Sequence, residues 1–252
     1  MSHFTVAVFS HKPEDVESLL APYEEEPDNP EFMEFTPSSK PKSYWLEMYE
    51  KNKDNYETFA DYLECEEGFV VNEDGEVGSL GNPNAKWDWW MVGGRWPGIL
   101  KLKPGCDGGR GRPSLIMGDV KYEENTCDQA RVCDVDFSMD QKAYDRAIRF
   151  WEVVVDGQPI REYERKVDFF TVYTTKYYIE QFGTKENYAK DKASFRTWAF
   201  ITPDGKWAEN GTMGWFGISD STSDSRKTYA EALEEMIENG QELWITIVDC
   251  HI

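Results

Sequence analysis

The stretch Thr228–Ile252, TYAEALEEMIENGQELWITIVDCHI, decides the fold class. Ala232, Leu233, Met236 and Ile237 recur at the three- and four-residue spacings of a helix with one buried face, and Asn239-Gly240 supplies the stop. Trp244–Val248 is then apolar and β-branched and reads as a final strand, which needs a partner from elsewhere in the chain. Another strand candidate lies at the opposite end. Phe4–Phe9 is a second β-rich apolar run, leading through Ser10 and Pro13 into an amphipathic helical stretch, Glu14–Leu20.

Between these ends the signals alternate without a regular βαβ repeat. Tyr44, Leu46, Met48 and Tyr49, then Tyr56, Phe59, Ala60, Tyr62 and Leu63, fit one or two helices with a buried face. Phe69–Val71 followed by the turn Asn72–Gly75 reads as a hairpin-like element, and Phe195–Thr202, Pro203-Asp-Gly205 and Lys206-Trp207 form a stronger hairpin signal. Asp140–Trp151 places Ala143, Tyr144, Ala147, Ile148 and Trp151 on one helical face, with Val153–Val155 and the Asp156-Gly157 turn read as β structure. Lys166–Thr175 is β-branched and aromatic, Tyr177–Phe182 suits a short helix, further β structure is expected near Trp215, and Ser219–Lys227 reads as polar loop. The expectation is one α+β domain over residues 1–252, with a mixed or mainly antiparallel sheet flanked by helices. Residues 22–42, with Pro22, Pro27, Pro30, Pro37 and Pro41, read as a Pro-rich surface excursion, and residues 104–113 as a Gly-rich loop, a lid or an ordinary connection.

Forty-eight acidic residues against 27 basic ones give a net charge of −21, which argues against ordinary nucleic-acid binding through backbone neutralisation and favours basic partners. No apolar run approaches the roughly 18 residues that span a bilayer, and the N-terminus lacks the features of a signal peptide, so a cytoplasmic protein is expected. The odd number of cysteines, five, at irregular spacing argues against a disulfide framework. Cys106, Cys127 and Cys133 lie beside Asp107, Asp128 and Asp134, but the spacings match no zinc pair, and Asp134, Asp136 and Asp140 lack the ligand pattern of a calcium loop; no metal and no cofactor are expected.

Lys86–Trp96 concentrates four indoles, one acid and two cations in 11 residues. Trp87, Trp89, Arg95 and Trp96 are therefore candidates for binding a ligand or partner, the indoles by stacking and Arg95 through its planar fork. The same residues suit a core, with an Asp88–Arg95 pair fixing a strand connection. Gly93-Gly94 matches neither a phosphate-binding loop nor a dinucleotide fingerprint. Asp88, Asp249 and His251 are the candidates for proton transfer; strand alternation would put Asp249 and His251 on one face and Cys250 on the other, and His3 or His11 could reach them only if the first and last strands pair.

The block NPNAKWDWWMVGGRWPG at residues 82–98, the segments Pro203–Trp207 and Met213–Gly217, and the ending Ile247–Ile252 together resemble a family of phage and prophage proteins with an NPxxKWDW-x3-GGRW core. Trp90 and Met91 stand where that pattern carries a Tyr and a variable residue. The resemblance brings no catalytic residues with it. It implies an accessory role in the infected host cell, in countering a defence system or modifying metabolism. Joined to the acidic charge, the leading expectation is a protein that binds and inhibits a host defence protein with a basic surface, using aromatic anchors from the Pro-rich excursion or the Trp block. The alternatives are an enzyme or sequestering protein for a nucleotide-like small molecule, using the Trp/Arg/Asp cluster, and a structural or assembly factor in which that cluster is only core.

Overall fold

The computed structural model describes residues 2–114, 122–211 and 220–252 and shows an α+β fold. In chain order the elements are β1 (His3–Ser10), α1 (Val16–Leu20), β2 (Glu34–Pro37), α2 (Lys42–Asn52), α3 (Phe59–Glu67), β3 (Val70–Val71), β4 (Val77–Gly81) and β5 (Trp89–Gly94). There follow β6 (Leu100–Lys101), β7 (Arg112–Pro113), β8 (Thr126–Cys127), β9 (Gln129–Arg131), α4 (Gln141–Val154), α5 (Thr175–Phe182), α6 (Lys185–Ala193), β10 (Ala199–Ile201), β11 (Trp207–Glu209), α7 (Ser223–Asn239) and β12 (Trp244–His251). The segment Met213–Gly217 and the β structure expected near Trp215 lie outside the described residues.

Two compact units emerge. The first comprises the chain up to Leu19 together with Trp90–His251. Its mixed sheet runs in the order β11-β10-β1-β12-β5-β7, with β9 also pairing with β12. The two terminal strands find each other: β1 and β12 are antiparallel over their full lengths, from His3 opposite His251 to Ser10 opposite Trp244. β10 joins β1 in parallel and closes an antiparallel hairpin with β11, as the Pro-Asp-Gly turn predicts. Helix α7 packs Tyr229 and Leu233 onto Ala7, Phe9, Phe200, Ile245 and Ile247, and full burial of an aliphatic side chain such as Leu233 or Ile245 contributes about 1.5–3 kcal/mol. A second, aromatic cluster forms where Ala147 and Trp151 of α4 meet Tyr178 of α5 and Tyr188 and Ala189 of α6.

The other unit, Leu20–Trp89, carries the three-stranded antiparallel sheet β2-β4-β3 and helices α2 and α3 around Trp45, Tyr62, Leu63 and Val77. Thr58 and Asp61 form a reciprocal capping box at the start of α3, and Gly68, at φ 65°, ends it.

Four expectations are corrected. The Pro-rich excursion is not wholly irregular, because Glu34–Pro37 pairs with β4. Val153 and Val154 extend α4 instead of starting a strand, since the helix keeps Ala147 and Trp151 buried on one face up to its end. Helix α7 begins at Ser223, inside the stretch read as loop, because Thr222 and Ser225 cap it reciprocally. Lys166–Thr175 forms no strand; Lys166–Phe169 is a 3-10 turn and the chain then runs irregularly to α5.

Candidate functional site

Trp87 and Trp89 fall in the second unit, Arg95 and Trp96 in the first. Trp87 is only 4% exposed, and its indole N–H donates to the Leu20 carbonyl at 3.2 Å, so it is a core residue with no free face for stacking. Trp89 is 44% exposed, Asp88 is exposed, and Trp96 and Arg95 are half-buried. The Arg95 Nε is buried without an acceptor.

The carboxylates that organise the Gly93-Gly94 turn are Asp249 and Asp128, both fully buried. Asp249 accepts a hydrogen bond from the Arg95 backbone N–H at 2.9 Å and lies 2.8 Å from the His3 Nδ1. A β-carbon on Gly94, whose φ is +55°, would sit 2.2 Å from the Asp249 Cβ, so glycine is required there. His3 and His251 meet edge to face at 4.9 Å, as pairing of the terminal strands allows. Asp249 and His251 do share one strand face. Cys250 points away from them and is buried, and its thiol is pushed well above the usual range by burial and then by the Asp249 charge, which makes it a poor nucleophile.

Asp128 accepts from the backbone N–H groups of Gly98 at 2.5 Å and Gly111 at 2.8 Å, and from the Tyr122 hydroxyl. Burial, followed by the Asp128 hydrogen bond and charge, raises the Tyr122 phenol well above its ordinary value. The Gly-rich loop is thereby tied down. Arg110 donates to the carbonyls of Thr126, Glu123 and Glu124 and lies over the Tyr122 ring, and a β-carbon at Gly111 would sit 2.1 Å from the Val92 carbonyl oxygen. These glycines serve close packing, and the loop reads as an anchored connection. Asp128 and Asp249 both spend their oxygens on the fold; among the described residues no group of three or more His, Cys, Asp or Glu is placed to hold a metal ion.

A different region of the first unit presents a surface suited to binding. Between α4 and α5, Tyr163 is 77% exposed, Val167 69%, Phe170 75% and Val172 79%, with Tyr173 and, on α5, Ile179 also exposed. Isolated apolar side chains on a surface are ordinary, whereas here several stand exposed along one segment. The ridge is braced from behind. Arg149 on α4 forks onto Glu164, Nε to Oε1 at 2.7 Å and Nη2 to Oε2 at 2.8 Å, and Nη2 also donates to the Pro159 carbonyl at 2.9 Å. Glu164 further accepts from the Arg161 N–H at 2.7 Å. At the other end Tyr173 stacks on Tyr177, centroids 4.2 Å apart, and the Thr171 hydroxyl meets the Tyr178 hydroxyl at 2.6 Å. A hollow of about 530 Å³, lined by Arg146, Phe150, Phe169, Tyr188 and Lys192 among others, opens beside the brace.

The Arg149 hydrogen bonds outweigh the opposing effect of burial and hold the Glu164 carboxyl at about 2. Because the folded value is depressed, this contribution is complete above the usual carboxylate range and is lost as pH falls through about 2. A carbon-13 titration followed by NMR should therefore place the Glu164 side chain at the acid end of the glutamates; titration in the ordinary range would show that the brace does not form.

None of the ridge residues stood out in the sequence as a site. The sequence signal they carry is the concentration of β-branched and aromatic residues in Lys166–Thr175. Among the described residues no helix is long and apolar enough to cross a membrane. No protein-family model, no curated protein and no solved structure matches the chain.

Proposed function

We propose that this is a phage-encoded accessory protein that acts in the host cytoplasm by binding, and so inhibiting, a host defence protein. The reading is supported by the exposed apolar ridge, Tyr163 to Ile179, held in shape by the Arg149–Glu164 fork. Exposed aromatics on a pre-organised segment are the side chains that carry binding energy at protein interfaces, and pre-organisation lowers the entropy lost on association. The charge of −21 would speed encounter with a partner whose binding face is basic around an apolar cleft. On this reading the ridge side chains serve as the anchors, in place of those expected from the Pro-rich excursion or the Trp block.

The rival reading, a nucleotide-like ligand held by Trp87, Trp89, Arg95 and Trp96, loses Trp87 to the core. The experiment is affinity capture from host lysate at low and high salt, with the wild-type chain beside a variant carrying Val167→Ser, Phe170→Ser and Val172→Ser. A single host protein retained by the wild type, weakened by salt and absent from the variant supports the proposal. Equal retention by both chains would sink it.

A further inference from the structure

We propose that the first unit also contains a binding site for a small phosphate-bearing molecule, in the hollow shared by Arg196 and Arg226. This proposal does not rest on the function given to the docking ridge, although Arg226 donates to Tyr177, which stacks on the ridge's Tyr173. Arg196 lies just before β10 and Arg226 in the first turns of α7, and both line two adjoining hollows of about 460 and 360 Å³, which also share Asp191. Volumes of this order suit small-molecule sites.

The polar groups around this hollow are left unfinished. Among the described residues five buried side-chain polar atoms have no hydrogen-bond partner, and four of them belong here: the Nε atoms of Arg196 and Arg226, the Gln181 Oε1 and the Asn210 Oδ1. Buried polar atoms without partners cost free energy; the two Nε donors are completed by an acceptor such as a phosphate oxygen, whereas the two amide oxygens need a donor, such as a hydroxyl on the remainder of the molecule. Among the described residues the Arg226 side chain donates through Nη2 to the Tyr177 hydroxyl, at 3.2 Å, lies over the Phe182 ring at 5.3 Å, and forms no ion pair with a carboxylate. Arg196 gives Nη2 to Glu234 at 3.0 Å and Nη1 to the Phe195 carbonyl at 2.7 Å, leaving Nε over.

Charge favours an anion. Lys190, Lys192 and Lys227 join the two arginines, against Asp191, Glu231 and Glu234, so the lining carries five cations and three carboxylates. The chain as a whole has the reverse ratio, 27 basic residues to 48 acidic. Three cation–carboxylate pairs cancel, Lys192 with Asp191 at 3.4 Å, Lys227 with Glu231 at 3.8 Å and Arg196 with Glu234 at 3.0 Å, so Arg226 and Lys190 carry the excess positive charge of the lining. Two guanidinium groups arriving from separate elements present donors that a phosphate, with several oxygens, can accept together, whereas a carboxylate has only two coplanar oxygens. Phe182, in the larger hollow, offers apolar surface for the remainder of the molecule.

The test is isothermal titration calorimetry of the full chain with inorganic phosphate and with AMP, in chloride buffers of matched ionic strength. Saturable binding at one site is expected, weakened about tenfold or more by Arg226→Gln and by Arg196→Gln, the loss that follows from deleting a charge-assisted hydrogen bond. Lys206→Gln, on the exposed turn between β10 and β11, should leave binding unchanged. Should a glutamine variant fail to fold, Arg226→Lys, which keeps the charge and gives up the fork, carries the same expectation of weaker binding. Absence of saturable binding by either probe, or binding that survives both arginine substitutions, overturns the proposal.

Discussion

Asp128→Ala should lower the free energy of unfolding by about 3 kcal/mol or more, and Asp128→Asn by less. The carboxylate is fully buried and accepts from the Gly98 N–H, the Gly111 N–H and the Tyr122 hydroxyl. Hydrogen bonds to a charged group contribute roughly 1.5–3 kcal/mol each, and a buried donor left without its acceptor costs about 1–3 kcal/mol. Alanine strands all three donors at once. Asparagine keeps one acceptor oxygen and sets an amide where the other was, so some of the loss is recovered. Equilibrium urea denaturation of the three chains measures the order. The Tyr122 phenol gives a second, independent signature: with Asp128 gone, both the hydrogen bond and the charge that help to raise it are removed, so it should titrate closer to its ordinary value. Stability unchanged in Asp128→Ala would mean that the two loops are held by other contacts.

The terminal strands were legible because each is a compact apolar run; that they pair with each other was only a condition in the sequence, and the fold meets it. His3, Asp249 and His251 were thereby brought within reach of one another, as alternation along β12 anticipates. The organising role of Asp128 was not legible. Its partners come from Gly98 and Gly111, on two different loops, and no spacing rule connects a carboxylate to backbone donors so far along the chain. Arg196 and Arg226 are likewise joined only by the fold, one before a short strand and the other inside a helix.

The misreading of Lys166–Thr175 has a more instructive cause. Apolar, β-branched residues indicate a strand because burial in a sheet is the usual way to remove them from water. Here the chain leaves Val167, Phe170 and Val172 in water, and fixes the backbone around them with a side-chain fork and an aromatic stack. A composition suited to burial has been retained where the fold does not bury it. Local composition and tertiary outcome therefore part company in this segment, where the side chains stay in water and the backbone is fixed by other means.

Phe170→Asp should therefore separate binding from stability. Phe170 is 75% exposed in the isolated chain, so its replacement is expected to change unfolding free energy by no more than about 0.5 kcal/mol. At a docked interface the same substitution removes an aromatic anchor and buries a charge, for which a loss of about 2 kcal/mol or more, roughly thirtyfold in affinity, is the ordinary result. Tyr178→Ala supplies the contrast. That ring is 6% exposed and packed between Trp151, Phe150 and Tyr188, so its truncation should destabilise the chain by about 3 kcal/mol, as for large-to-small changes in a core. Thermal or chemical unfolding, paired with titration of the captured host protein, yields both quantities for each variant. If Phe170→Asp binds as tightly as wild type, the ridge is not the interface. Retained stability with lost binding for Phe170→Asp, beside lost stability for Tyr178→Ala, would assign the interface to the exposed face of this segment and the support to the aromatic cluster beneath it.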